Sequence, residues 1–331
     1  MIVNESKTKF LVINGDPVDK ENLEVDGISV SYTERYLYLG AWFTDSRKIA
    51  DVINKHEGRS EQVVNKFAIF CAANSQMPYI YKKRVFDAAV ISSLLYSCES
   101  WITNNFRGIQ RQYDKLIRCL LGVRKNTSIS LCMLEVGILP LKAIIFEKQK
   151  CFLMSKIENV DIEIPFNYVY SMCRNNSTPG YRFLSNILER GTQPDSLEHI
   201  KNEVGVRAEN STKFNLYVSQ LNPSLIVHNV YKTKKFILDY CRVSFSLLRL
   251  MSHNLRVETG KWSRVPVNQR VCPCDNSSIQ SESHVLIACT FSHQCRLKFR
   301  MLDFTNINSL LNEEENIVEL CKYIHEVLSV Y

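Results

Sequence analysis

Over the first 45 residues, apolar positions come in short runs rich in β-branched and aromatic side chains: KFLVI at 9–13, GISVSY at 27–32 and RYLYLGAWF at 35–43. Turn formers separate them at Asn14-Gly15-Asp16-Pro17 and at Asp26-Gly27, so this stretch reads as strands joined by tight turns. From Asp45 the period lengthens. Ile49, Val52, Ile53, Val63, Val64, Phe67 and Phe70 fall at helical intervals, with an interruption expected near Gly58. Pro78 is placed to open another helix, with Val85, Ala88, Ala89, Ser92 and Leu95 along one face.

The clearest amphipathic pattern lies at 106–121. Phe106, Ile109, Tyr113, Leu116, Ile117, Leu120 and Leu121 form its apolar stripe, and Gly122 is positioned to stop the helix. A further helix is expected from about Pro140 to Ile157, another across 233–251, and one near 314–330. Between them, 159–225 is broken by NNSTPG, GTQPDS and NPS, and reads as short helices joining two bodies. The expected fold is mainly α, with a small N-terminal hairpin or sheet. Its expected segments are 1–45, 46–158, 159–225 and 226–331.

At 331 residues, with 45% hydrophobic and 23% charged side chains, the chain can bury a core for about two domains. Eleven Gly and nine Pro are too few for collagen-like or low-complexity sequence. The longest nearly apolar run, AAVISSLLYSC at 88–98, falls short of the ~18–20 residues a membrane span needs. MIVNESKTKF has no long apolar core of the kind found in a cleaved leader, so an intracellular protein, in cytoplasm or nucleus, is expected.

The net charge of +7 is unevenly placed. Residues 1–60 hold 8 basic and 10 acidic side chains, a net of −2. Residues 101–150 hold nine basic against three acidic, a net of +6, and 232–300 hold twelve against four, a net of +8. Glu313, Glu314 and Glu315 make the end of the chain acidic again. Two basic segments suit a polyanion partner, although solvated helix faces give the same count.

Of twelve cysteines, eight are scattered singly (Cys71, Cys98, Cys119, Cys132, Cys151, Cys173, Cys241 and Cys321) and are expected as buried thiols. The others cluster in VCPCDNSSIQSESHVLIACTFSHQC. Cys272, Cys274, His284 and Cys289 form a C-x-C-x9-H-x4-C set. Three thiolates and an imidazole close a tetrahedral zinc shell and leave no position for substrate, so the Zn2+ would be structural. The C-x-C spacing is tighter than the usual C-x2-C, and Cys295 and His293 are spare donors. No HExxH, P-loop or Gly-x-Gly-x-x-Gly occurs.

Taken in order, several segments resemble the C-terminal part of the reverse transcriptase of non-long-terminal-repeat (LINE-like) retrotransposons. NESKTKF is similar to the segment after the catalytic YxDD turn of the palm, and YLYLG at 36–40 to the primer-grip hairpin. LLYSCESW with the basic helix and LEVGILPLKAIIFEKQ resembles the thumb and the region beyond it. GKWSRVPVNQRVCPC with SESHVLIAC resembles the terminal zinc knuckle.

On that resemblance Lys7 corresponds to a general-acid lysine, and Tyr38, Leu39 and Gly40 to the primer grip. Arg107, Arg111, Lys115, Arg118, Arg124 and Lys125 would contact phosphates of RNA, DNA or a hybrid. Arg264, Arg270, Arg296, Lys298 and Arg300 would do so around the knuckle. The chain has no YxDD and no Asp-Asp pair, so the Mg2+ of the polymerase reaction belongs to a full-length relative. The expectation is a truncated, non-catalytic, nucleic-acid-binding remnant. The competing expectation is a zinc-stabilised protein-interaction module.

Overall fold

The computed structural model describes residues 8–13, 15–46, 49–101, 106–158, 185 and 196–331. Among these the chain is mainly helical, with a few short strands near its start. It forms two compact units whose segments alternate in sequence. The first takes Met1–Val64, Ile91–Tyr113 and Ile144–Gln193, and the second Asn65–Val90, Asp114–Ala143 and Pro194–Tyr331. Three long helices, at 49–73, 107–121 and 141–158, each give one end to either unit.

In the first unit, β1 (Lys9–Phe10) pairs parallel with β3 (Ile28–Tyr32), and β2 (Leu23–Val25) pairs antiparallel with β3, giving the order β1-β3-β2. The β2–β3 turn is Asp26-Gly27, both residues at positive φ (53° and 77°), the conformation a two-residue hairpin requires. RYLYLGAWF is two strands rather than one. β4 (Arg35–Tyr38) and β5 (Ala41–Thr44) pair as a separate hairpin around Leu39 (φ 47°) and Gly40 (φ 86°).

α1 (Ile49–Ala73) runs unbroken through Gly58. One glycine costs about 1 kcal/mol relative to alanine, too little to end a helix held by its flanking turns. α2 (Tyr79–Val85) starts after Pro78, as expected, and a π turn over Phe86–Ile91 and α3 (Ser92–Leu94) continue it. The buried face here is Phe86, Val90, Leu94 and Leu95, while Ala88, Ala89 and Ser92 are exposed. The larger side chains set the face because they carry most of the apolar area to be removed from water.

α4 (Arg107–Leu121) buries the whole stripe read from sequence, with Ile109, Tyr113, Leu116, Ile117, Leu120 and Leu121 fully inaccessible. Gly122 ends it at φ 71°, the Val123 N–H donating to the Arg118 carbonyl at 3.1 Å. α5 (Ile129–Val136) follows, and α6 (Leu141–Glu158) occupies the helix expected from Pro140. Among the described residues no single helix is long and apolar enough to cross a membrane.

The second unit continues with α7 (Leu197–Asn210), α8 (Thr212–Leu216), a π turn over Tyr217–Leu221, α9 (Asp239–Arg249), α10 (Arg256–Trp262), α11 (His293–Lys298), α12 (Ile307–Leu311) and α13 (Ile317–Leu328). α9 packs most extensively on α13, burying Phe245, Leu248, Leu320, Cys321, Ile324 and Val327.

Two ion networks run through this core. Glu135 of α5 receives Arg249 Nε at 2.5 Å and the Tyr217 hydroxyl at 2.8 Å, while Arg249 Nη1 donates to the Leu221 carbonyl. Asp239 pairs with Lys82 at 2.6 Å and Arg242 at 2.5 Å. Arg242 also donates to the carbonyls of Leu120 and Leu121, capping α4 at its negative end. The cations of these pairs contribute to the basic count of the sequence without being available to a partner.

Candidate metal centre

Cys272 and Cys274 sit on a tight turn. An isolated antiparallel bridge joins Val271 to Ile279, and the Cys272 N–H donates to the Ser278 carbonyl at 2.7 Å. Inside it, Asp275 Oδ1 accepts the N–H groups of Ser277 and Ser278, both at 3.0 Å, and Asn276 takes a positive φ of 54°. Those bonds, with the Ser278 hydroxyl first, hold the Asp275 carboxyl well below the usual range.

His284 and Cys289 bracket a π turn over His284–Ala288. The His284 N–H is capped by the Ser281 hydroxyl at 3.2 Å, and the Cys289 N–H closes the turn on the His284 carbonyl at 2.7 Å. The widened turn matters for geometry. In an α-helix five residues at about 100° each would leave these two side chains about 140° apart. An i→i+5 turn brings them back to one side.

The donor atoms of Cys272, Cys274, His284 and Cys289 all lie within 4.8 Å of one another. Cys272 Sγ is 3.7 Å from Cys289 Sγ, and Cys274 Sγ is 3.3 Å from His284 Nε2. A tetrahedral zinc with bonds of about 2.3 Å to sulfur and 2.0–2.1 Å to nitrogen has edges of about 3.8 and 3.6 Å. The set therefore fits a four-coordinate divalent ion. Burial and the neighbouring Cys289 and Cys272 sulfurs push the Cys274 thiol up to about 12. Cys289 is held lower, because hydrogen bonds led by the Tyr331 hydroxyl outweigh the cost of its burial. Three adjacent thiols resist shedding all their protons unless a cation joins them.

Around the donors, the Tyr331 hydroxyl donates to Cys289 Sγ at 2.8 Å and Gln280 Nε2 lies 3.9 Å from Cys272 Sγ. Gln280 Oε1 also accepts the Arg256 N–H at 2.8 Å, and buried His253 bonds Glu282 at 2.9 Å. Although burial opposes its charge, Glu282 is kept below the usual carboxylate range by that histidine. His293 is exposed and Cys295 half-buried, and neither joins the converging set.

The other expected site residues are placed unevenly. Arg107, Arg111 and Lys115 are exposed at four-residue intervals along α4, and Lys125 is exposed beyond it. Arg118 Nε donates to the Thr127 carbonyl at 2.9 Å. Arg124 lies 4.3 Å over the Trp262 ring and bonds Asn254. Arg264 and Arg300 are exposed, and Lys298 pairs with Glu326 at 2.5 Å.

Arg270 is buried, with Nε and Nη2 on the Val265 carbonyl and Nη1 on the Val257 carbonyl, so it ties loops together. Arg296 likewise turns inward to the Cys289 carbonyl at 2.7 Å. Tyr38 and Leu39 are 57% and 76% exposed, and the Tyr38 ring meets Phe43 edge-on within the hairpin, with centroids 6.4 Å apart. Tyr96 donates to the Leu39 carbonyl, and a Cβ at Gly40 would stand 3.0 Å from the Tyr96 ring. Lys7 lies outside the described residues.

Sequence reasoning overlooked Glu135, Arg242, Arg249 and Asp239, the buried charges that organise the second unit. The available signal was a charge inside an apolar helix, as in ISLCMLEV and DYCRVSFSLLR. Compared with family models, with curated proteins and with solved structures, the chain matches none.

Proposed function

We propose that this chain is a nucleic-acid-binding part of a non-long-terminal-repeat reverse transcriptase, comprising a thumb-like helical region and a structural zinc knuckle without the polymerase's metal-holding aspartates. The observation that carries the reading is the convergence of Cys272, Cys274, His284 and Cys289, the residues that resemble the family's knuckle. A Cys3His donor set favours zinc over hard cations and leaves no open coordination position. Zinc there would clamp the 271–279 turn to the π turn and supply folding energy rather than chemistry. The exposed stripe of Arg107, Arg111 and Lys115 is suited to phosphate neutralisation without base reading.

The test has two parts. Purified chain should carry one zinc per molecule by elemental analysis, and a Cys272→Ser/Cys289→Ser variant should lose it. Binding to an RNA–DNA hybrid should weaken steeply with salt, and Arg111→Glu/Lys115→Glu should flatten the log–log slope by about two units. Salt-insensitive binding, or none at low salt, sinks the nucleic-acid assignment. A zinc-stabilised protein-interaction module then takes its place. That second reading is favoured by one observation, the commitment of Arg270, Arg296 and Lys298 to partners inside the fold.

A further inference from the structure

A second surface in the second unit has chemistry that the knuckle and α4 do not use. Between the start of α2 and the loop before α9 lies a cavity of about 190 Å³. Its lining includes Tyr79, Tyr81, Arg84, Lys234, Lys235 and Phe236, and no acidic side chain. Arg242 also lines it, but its guanidinium is committed to Asp239 and to the carbonyls of Leu120 and Leu121.

The aromatic rings are available to a partner. Phe236 is 65% and Tyr81 52% exposed, large fractions for such side chains in a chain with a well-filled core. Arg84 stands over the Tyr81 ring at 5.9 Å, a cation beside a π face. Lys234 and Lys235 immediately precede Phe236, and both are exposed. Lys235 Nζ gives one hydrogen bond to the Glu315 carbonyl at 2.7 Å, which leaves two of its three donors. In the wall, Tyr79 is buried and its hydroxyl has no hydrogen-bond partner among the described residues.

We propose that this basic and aromatic pocket binds one nucleotide unit of a single-stranded nucleic acid, with Phe236 and Tyr81 stacking on bases and Arg84, Lys234 and Lys235 holding the adjoining phosphates. Alternating aromatic faces and cations is the arrangement that holds single strands irrespective of sequence. Size argues for a strand over a free nucleotide. At about 190 Å³ the cavity is smaller than the ~300–1,000 Å³ of sites that engulf a whole small ligand, so the occupant is a group projecting from something larger. Stacked bases also distinguish this site from the α4 stripe, which has charge without exposed rings. The inference goes beyond the proposed function and can fail separately from it.

The experiment uses the full zinc-loaded chain and fluorescein-labelled dT12 and rU12, followed by anisotropy, with an RNA–DNA hybrid in parallel. Phe236→Ala should weaken single-strand binding by at least about fivefold, the low end of a lost base stack, and leave hybrid binding unchanged. Phe236→Trp should retain binding, with its indole emission quenched as the strand is added. Lys234→Ala/Lys235→Ala should flatten the single-strand salt slope by about 1.4 units. Unchanged single-strand affinity in the Phe236 and lysine variants overturns the pocket, whatever the Arg111/Lys115 variant does to the hybrid. Competition by AMP as effective as that by the oligonucleotide overturns the strand assignment. Equal competition by poly-glutamate overturns base stacking in favour of a merely anionic partner.

Discussion

His228 illustrates how a single side chain acquires a role that its neighbours in sequence do not announce. Its Nε2 lies 2.9 Å from the Leu311 carbonyl, which can only accept, so Nε2 carries the proton and Nδ1 accepts the Val230 N–H at 3.1 Å. Burial and the nearby Arg249 guanidinium push its pKa down to about 3, so the folded state holds it neutral. The unfolded chain takes up a proton there near pH 6.5, and the folded chain does not until far lower. Unfolded molecules therefore bind more protons between those values. The stability His228 supports is complete above pH 6.5 and declines as pH falls below it. We expect the slope of unfolding free energy against pH to approach ~1.4 kcal/mol per unit from this residue below about pH 6. His228→Gln, which keeps a donor and an acceptor but cannot titrate, should remove that increment in denaturant titrations at stepped pH. Equal slopes in the two proteins would refute it. Nothing in HNVY reveals this, because both hydrogen-bond partners and the desolvation come from the folded chain.

At the scale of elements, the converging cysteine and histidine cluster was largely legible. The donor identities and the C-x-C-x9-H-x4-C spacing were readable, and so was the turn chemistry of Asp275 through Ser278. The π turn that makes the H-x4-C spacing work was not readable, because i→i+5 turns have no strong residue signature. Deleting the exposed Ala288 would leave three residues between the donors, an i, i+4 spacing about 40° apart in an ordinary α-turn. That variant should keep its zinc. Inserting one alanine after Ala288 gives five residues between the donors, an i, i+6 spacing of about 120°, and should lose the metal with little change in far-ultraviolet circular dichroism. Metal retained by the insertion would show that the turn does not set the donor geometry. α4 makes the opposite point: its stripe, its stop at Gly122 and its exposed Arg107, Arg111 and Lys115 all follow from a strong 3.6-residue period. Between these cases stands Phe86–Ile91, where a π turn shifts the buried face away from Ala88, Ala89 and Ser92.

At the scale of the whole molecule, net charge proved a poor map of surface charge. Part of the excess at 232–300 comes from Arg242, Arg249 and Arg270, all buried against carboxylates or main-chain carbonyls. Glu135 and Arg249, 114 positions apart, join α5 to α9, and through Tyr217 and Leu221 to the turn between them. Removing one partner of such a pair strands the other charge in the core. Glu135→Ala should cost about 3–5 kcal/mol in urea unfolding, whereas Glu135→Leu/Arg249→Met should recover most of that loss. A single variant within 1 kcal/mol of the parent would refute the network's role.

The sequence by itself determined the helical class, the early strands and their turns, the stripe of α4 and the four candidate metal donors. Each of these depends on a local period, a turn residue or a short spacing, and such signals survive in one dimension. Tertiary structure alone decided which arginines face solvent, how the segments alternate between two compact units, and how Tyr79, Tyr81, Arg84, Lys234, Lys235 and Phe236 come to line one cavity. Burial and ion pairing couple residues more than a hundred positions apart, and no periodicity records which distant carboxylate meets which cation.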